Sequence, residues 1–227
     1  MALWIALNGL LVALAYLLGS IPSGYWAGRL LQGIDLREHG SGSTGATNVL
    51  RTLGKVPAIV VLLVDVLKGA AALALLRWVY ALPSAQALIP ASVEAATWLP
   101  WVATLISMAA LLGHSKSIFL GFTGGKSVAT SLGVLLALNW VVGLGTLGVF
   151  SLVLAVSRIV SLSSIVGAIA TSGLMVVTGQ PLPYLLFSIA GGLYVVLRHH
   201  SNIQRLLNGS EPRLGQKLPG ATASIQE

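Results

Sequence analysis

Apolar residues fall along this chain in long stretches divided by short polar segments, and the stretches recur from one end to the other. Each approaches the roughly 20 residues that a helix needs to cross a bilayer core of about 30 Å. The pattern therefore predicts repeated membrane spans. Seven are drawn, at about 3–31 with a break at Pro22, 56–80, 98–113, 127–139, 141–157, 161–178 and 182–197. The fourth is short and nearly continuous with the fifth across Asn139-Trp140, which leaves six and eight spans as alternatives. Met1 to Leu18 lacks a basic start and runs into Gly19-Ser20-Ile21-Pro22 and further apolar sequence, so it is predicted to be a first span and not a cleaved signal peptide. The expected fold is all-α: a polytopic membrane protein of seven transmembrane helices forming one domain over 1–209. A flexible cytoplasmic tail is expected over 210–227.

The basic residues orient these spans. With the amino terminus outside, one side receives Arg29, Arg37, Arg51, Lys55, Lys68, Lys116, Lys126, Arg158, Arg198, Arg205, Arg213 and Lys217, and the other receives Arg77 alone. Such an excess marks the first side, which includes the carboxyl terminus, as cytoplasmic. Dropping one span would scatter the bases over both faces, so charge and span count support each other.

Composition narrows the class further. Hydrophobic residues make up 56% of the 227 positions and charged residues only 8%, against roughly 25% charged in a soluble domain. The net charge of +7 is read as cytoplasmic loops facing anionic lipid headgroups and not as a nucleic-acid surface. Cysteine is absent, so disulfides and thiolate metal sites are excluded, and the four histidines lack the spacing of a metal cluster. The 26 glycines suit helices that approach closely in lipid.

Three cytoplasmic segments, 35–55, 113–130 and 198–217, are polar beyond what a connector requires. In the first, glycines at 40, 42 and 45 permit backbone amides to converge on an anion, while Ser41, Ser43, Thr44, Thr47 and Asn48 add hydroxyl and amide groups. A helix starting at Thr47 or Asn48 would face the same anion, with Arg51 one turn on. The alternative is a flexible linker, and this segment alone does not decide between them. In the second, Gly121-Phe-Thr-Gly-Gly-Lys126 places three residues between Gly121 and the Gly125-Lys126 pair where a Walker A loop has four, so ATPase chemistry is not expected. A Gly-Gly turn with Lys126 at a helix start still gathers a cation and free amides. In the third, a continuing helix would bring Arg198, His199, Asn202 and Arg205 toward one site; a basic stretch binding lipid headgroups is the alternative. Asp65 and Lys68, three residues apart, are expected to pair across one helix face, and Ser161, Ser163 and Ser164 to cap the sixth span.

Gly19-Ser-Ile-Pro-Ser-Gly24, Asp35-Leu-Arg with Gly40-Ser-Gly-x-x-Gly-Ala-Thr-Asn48, Asp65-x-x-Lys-Gly69, Gly113-His114, Gly124-Gly-Lys126 with Val128-Ala-Thr130, and Arg198-His199-x-x-Asn202-Ile-x-Arg-Leu206 together resemble the bacterial acyl-phosphate:glycerol-3-phosphate acyltransferases. The likeness runs from residue 19 to about 209. It implies a multi-pass enzyme of the bacterial cytoplasmic membrane. Such an enzyme transfers a fatty acyl group from acyl phosphate to the 1-hydroxyl of glycerol 3-phosphate in phospholipid biosynthesis, without cofactor or metal. Its site would lie on the cytoplasmic face, with membrane lipid around the acyl chain. Carried over residue by residue, the resemblance assigns Ser41, Lys126, His199 and Asn202 to catalysis. It assigns Gly42, Ser43, Thr47, Asn48, Arg51, Ser164 and Arg198 to substrate binding. The chain departs from the family pattern at Ser115-Lys116-Ser117, Thr123 and Ser127, while Lys126 is retained. A transporter of a phosphorylated solute is the competing class; it would need polar residues at mid-membrane, and apart from Asp65 and Lys68 the spans are nearly devoid of charge.

Overall fold

A computed structural model describes residues 1–216 and is all-helical apart from its loops. α1 (Ala2–Ser20) ends before Pro22, and α2 (Ser23–Gln32) resumes beyond it and stops at Gly33, whose φ of 69° is a left-handed cap. The chain continues through a 3-10 turn (Leu36–Glu38) to α3 (Ala46–Thr52), α4 (Lys55–Ala81), α5 (Pro83–Gln86) and α6 (Ala95–Ser115). Then come α7 (Val128–Leu138), α8 (Trp140–Ser157), α9 (Val160–Val177), α10 (Leu182–Arg198) and α11 (His200–Leu207). Asn139 divides α7 from α8 by capping the latter, its Oδ1 accepting from the Val141 amide at 2.9 Å and the Val142 amide at 3.1 Å.

Each of the seven apolar segments is thus helical within a few residues of its expected limits. Five stretches are long and apolar enough to cross a membrane, and α10 with α11, bent by 62°, makes a sixth if the pair is one span. The 11 residues of α7 rise only about 16 Å. Leu144, Leu152, Val156, Val177 and Leu193 stand on outer faces, as expected where lipid is the solvent.

Close backbone approach holds the bundle. A Cβ at Gly19 would overlap the Ala110 carbonyl and one at Gly113 the Tyr16 carbonyl, so α1 and α6 meet through glycine. Gly69 against Thr130 and Gly133 against Val66 do the same for α4 and α7. Without a hydrophobic driving force in lipid, such contacts carry helix association. Leu11, Leu73, Ile106, Leu111, Val134 and Met175 form the main core, while Leu36, Val49, Ala58 and Val61 pin the first polar loop onto α4. Arg77, the sole base assigned to the opposite side, donates to the Ala137 carbonyl at the end of α7.

Residues 210–216, the described part of the expected tail, fold back on the bundle. Gly209, at φ 68°, turns the chain; the Leu214 amide donates to the Arg158 carbonyl at 2.6 Å, and Glu211 is buried. The remainder of that tail, 217–227, lies outside the described residues.

Candidate active site

The first loop is a folded object. Gly40 and Gly42 adopt φ of 60° and 69°, the left-handed region that suits glycine. Asn48, 1% exposed, sits at its centre: Oδ1 accepts the Ser41 amide at 2.8 Å, and Nδ2 faces the carbonyls of Leu36 at 3.2 Å, His39 at 2.9 Å and Ser43 at 2.9 Å. That amide is committed to shaping the loop. α3 starts at Ala46, just ahead of the predicted Thr47 or Asn48, and its cap, Gly45, has no side chain. The Ala46 and Thr47 amides therefore have no intrahelical acceptor. Ser41 and Gly42 are exposed, Ser43 and Thr47 half-buried, and Arg51 half-buried one turn further along. Asp35 anchors the rim: the Arg37 guanidinium grips its carboxyl at 2.6 Å and holds it down to about 2. Arg37 also reaches the Leu120 carbonyl at 3.3 Å, tying the first loop to the second.

The second loop delivers Lys126 just before α7. A Cβ on Gly124 would overlap the His114 carbonyl, and one on Gly125 the His114 ring, so only a Gly-Gly pair passes there. Ser127 lies at φ 62°, is buried, and donates to the Leu111 carbonyl at 2.7 Å; its Oγ also meets that of Ser115. Ser117 donates to the Ser20 carbonyl at 2.6 Å. The residues that depart from the family pattern are therefore hydrogen-bonded into the turn. Lys126 Nζ donates to Asn202 Oδ1.

The third segment corrects an expectation. The helix does not continue through 198–205 but breaks at His199, where α10 and α11 meet at 62°. The His199 amide turns to Val196 O at 2.9 Å, three residues back, and its ring Nδ1 takes Val195 O at 2.7 Å. A carbonyl only accepts, so Nδ1 carries the proton and Nε2 is the free acceptor. The bend still brings Asn202 and Arg205 to one point, on a carboxylate that sequence reasoning missed. Glu211 accepts from Ser161 at 2.7 Å, Asn202 Nδ2 at 2.6 Å and Arg205 at 2.7 Å. By occupying Nδ2, it turns the Asn202 oxygen toward Lys126. A signal existed: Glu211 is one of only six acids in the chain, set just beyond a glycine after the basic α11.

Electrostatics join the segments. Burial pushes Lys126 down to about 8; Glu211 opposes this, while Arg205, Arg51 and Arg198 add to it. Burial likewise takes His199 to about 4, against the Val195 hydrogen bond and with the charge of Lys126, so its ring is neutral near pH 7. Burial lowers Arg51 as well, beside Glu211 and Arg205. For Glu211, burial acts upward but is outweighed by the hydrogen bonds from Ser161, Asn202 and Arg205, which hold it below its ordinary value. Glu211 holds Asn202 and Arg205 directly, and Asn202 in turn receives Lys126, so one hydrogen-bonded chain joins the second and third segments. An adjoining cleft of about 470 Å³ is walled by Asp35, Arg37, Glu38 and Gly42 of the first loop, Lys116, Thr123 and Gly124 of the second, and Arg198 of the third.

Of the residues singled out, Lys126, His199, Asn202 and Arg51 share this electrostatic neighbourhood, and Gly42 lines the cleft beside it. Arg198 braces the second loop, Nη2 donating to Gly124 O at 3.2 Å and Gly125 O at 3.1 Å. Ser164 donates to Val160 within its own helix at 2.8 Å, and the hydroxyl that reaches the cluster is that of Ser161, three residues earlier. Asp65 and Lys68 pair as expected, at 2.7 Å.

Residues 9–209 match the family described as glycerol-3-phosphate acyltransferase. The chain is 65% identical over 222 residues to the glycerol-3-phosphate acyltransferase of Trichormus variabilis, covering 98% of each, and 59% identical over 222 residues to that of Acaryochloris marina, covering 98% of this chain and 99% of the relative. It is also similar to the crystal structure of PlsY (YgiH), an integral membrane glycerol 3-phosphate acyltransferase, in its glycerol 3-phosphate form. There the TM-score is 0.77 with 37% identity over 92% of this chain and 96% of that one. The lysophosphatidic acid form of PlsY matches with the same TM-score and identity.

Proposed function

This chain belongs to the glycerol-3-phosphate acyltransferase family, and on that premise we propose that its acyl donor is an acyl phosphate. The protein is an integral membrane glycerol-3-phosphate acyltransferase of phospholipid biosynthesis. The observation that carries the donor assignment is the hydrogen-bonded chain from Lys126 through Asn202 to Glu211 and Arg205, which fixes cations of the second and third segments in one place, because two substrates that each bear a phosphate need several fixed cations together.

In this reading the 1-hydroxyl oxygen of glycerol 3-phosphate attacks the acyl carbonyl carbon. The bond from that carbon to the phosphate oxygen breaks, and lysophosphatidate and inorganic phosphate leave. Lys126 and Arg51 hold the phosphates, Asn202 orients Lys126, and Ser41, Ser43 and Thr47 offer hydroxyls beside Gly42. Asn48 holds the loop in shape and Arg198 braces the turn before Lys126. The hydroxyl proton passes to the leaving phosphate. A neutral His199 at about 4 is a weak base, so its free Nε2 serves to accept a hydrogen bond that orients the attacking hydroxyl.

The chain is read as seven spans in the bacterial inner membrane, with the amino terminus outside and the site on the cytoplasmic face. The twelve-to-one division of basic residues supports this. The short α7 packs along α4 and α8. Purified protein given labelled glycerol 3-phosphate is expected to form lysophosphatidate from palmitoyl phosphate and not from a palmitoyl thioester, and Lys126→Ala to abolish the reaction. Thioester use by the folded wild type would overturn the donor assignment.

A further inference from the structure

Behind the turn that carries Lys126 lies a second ionic cluster, anchored on α4 and α6. Asp65, Lys68 and His114 are 1%, 5% and 7% exposed. Lys68 Nζ sits 2.7 Å from Asp65 Oδ1, Ser23 Oγ donates to the same oxygen at 2.7 Å, and His114 Nδ1 lies 3.6 Å from it. Lys68 also donates to the Ile21 carbonyl at 2.9 Å. Ile21 and Ser23 bracket the break between α1 and α2, and the next residue, Gly24, is pressed so closely on the Thr44 carbonyl that a Cβ would overlap it. The cluster thus grips the backbone on which the first loop rests.

Its other side faces the second loop. The His114 carbonyl accepts the Gly125 amide at 3.2 Å, and a Cβ on Gly125 would run into the His114 ring. One node, spanning α4 and α6, therefore bears on the first loop through Ser23 and Ile21 and on the Lys126 turn through His114. Apolar side chains often replace a buried ion pair without loss of stability, so this cluster contributes direction more than strength.

We propose that Asp65, Lys68 and His114 are positioning residues that set the Lys126 turn in register with the first loop. The role rests on the reading that Lys126 holds a substrate phosphate. Misplacing a reacting group by about 1 Å can cost on the order of 10²-fold in rate.

The first readout needs no substrate. Full-length protein in lipid nanodiscs is acetylated with acetic anhydride across a pH series, and modification of Lys126 is followed by peptide mass spectrometry. In Asp65→Asn and in His114→Asn, which keeps a donor toward Asp65 but removes the ring edge against Gly125, the Lys126 midpoint is expected to rise toward the ordinary lysine range near about 10 as the turn slips from its buried seat. Activity is expected to fall about tenfold or more in kcat/KM. Should either variant fail to fold, Ser23→Ala, which deletes one hydrogen bond to Asp65, carries the same comparison. A Lys126 midpoint unchanged or lowered in the folded variants overturns the positioning role. Failure of the wild type to use acyl phosphate overturns the donor assignment instead.

Discussion

Replacing Asn48 by alanine asks whether the first loop is a fold held in advance or a strand that closes on its ligand. The side chain is almost wholly buried and bridges the Ser41 amide to the carbonyls of Leu36, His39 and Ser43. A net hydrogen bond contributes roughly 0.5–1.5 kcal/mol, and a buried partner left unpaired costs about 1–3 kcal/mol. Adjacent bonds do not add in full, so the expected local loss is about 3 kcal/mol. At about 1.4 kcal/mol per tenfold, opening of residues 36–48 becomes on the order of 10²-fold more frequent. Hydrogen exchange by mass spectrometry reads this directly, since the Ser41 amide is protected by the Asn48 oxygen itself. Exchange in that peptide is expected to accelerate by this factor while α6 and α10 are unchanged, with a parallel loss of kcat/KM. Asn48→Asp, isosteric but aiming a carboxylate at three carbonyls, is expected to be at least as damaging. Asn48→Ala with unchanged exchange and only a raised KM for glycerol 3-phosphate would refute the reasoning and make Asn48 a direct ligand.

Lys126 is a cation below about 8 and neutral above it, so kcat/KM for glycerol 3-phosphate is expected to fall as pH rises through that value. His199, already neutral well above its value of about 4, is expected to add no acidic limb in the range near pH 6.5, and His199→Gln to lower the rate without changing the profile's shape. Glu211→Gln is expected to cost about tenfold or more in kcat/KM by releasing Asn202 from its orientation. The same substitution in an Asn202→Ala background is expected to cost far less, as steady-state kinetics of the four proteins would show. Gly113→Ala drives a methyl into the Tyr16 carbonyl and is expected to cost about 1–3 kcal/mol, read as a lower melting temperature in detergent.

What was legible in the sequence follows from where the physics is local. Spans were readable because lipid demands long apolar helices, and the break before α2 because Pro22 cannot continue one. Lys126 was legible as a cation beside a Gly-Gly turn. The break at His199 was not, because it depends on where the Val195 and Val196 carbonyls point after the bend. The sequence offers Ser161 only as a cap and Ser164 only by resemblance, because it cannot say which hydroxyl faces Glu211. Glu211 itself lies nine residues beyond Asn202, in a segment whose polar composition reads as solvated tail until its partners are seen. That Asn48 bridges its own loop is equally hidden, because a buried loop organiser and a phosphate donor use the same amide.

The central claim is that three loops on one side of the membrane share one anion pocket. Because the chain has no cysteine of its own, single cysteines introduced at 43, 51 and 205 can be labelled with a membrane-impermeant maleimide in oriented vesicles. The account predicts that all three label from the same face and that glycerol 3-phosphate slows labelling at each. Labelling from opposite faces, or protection at none of them, would contradict it.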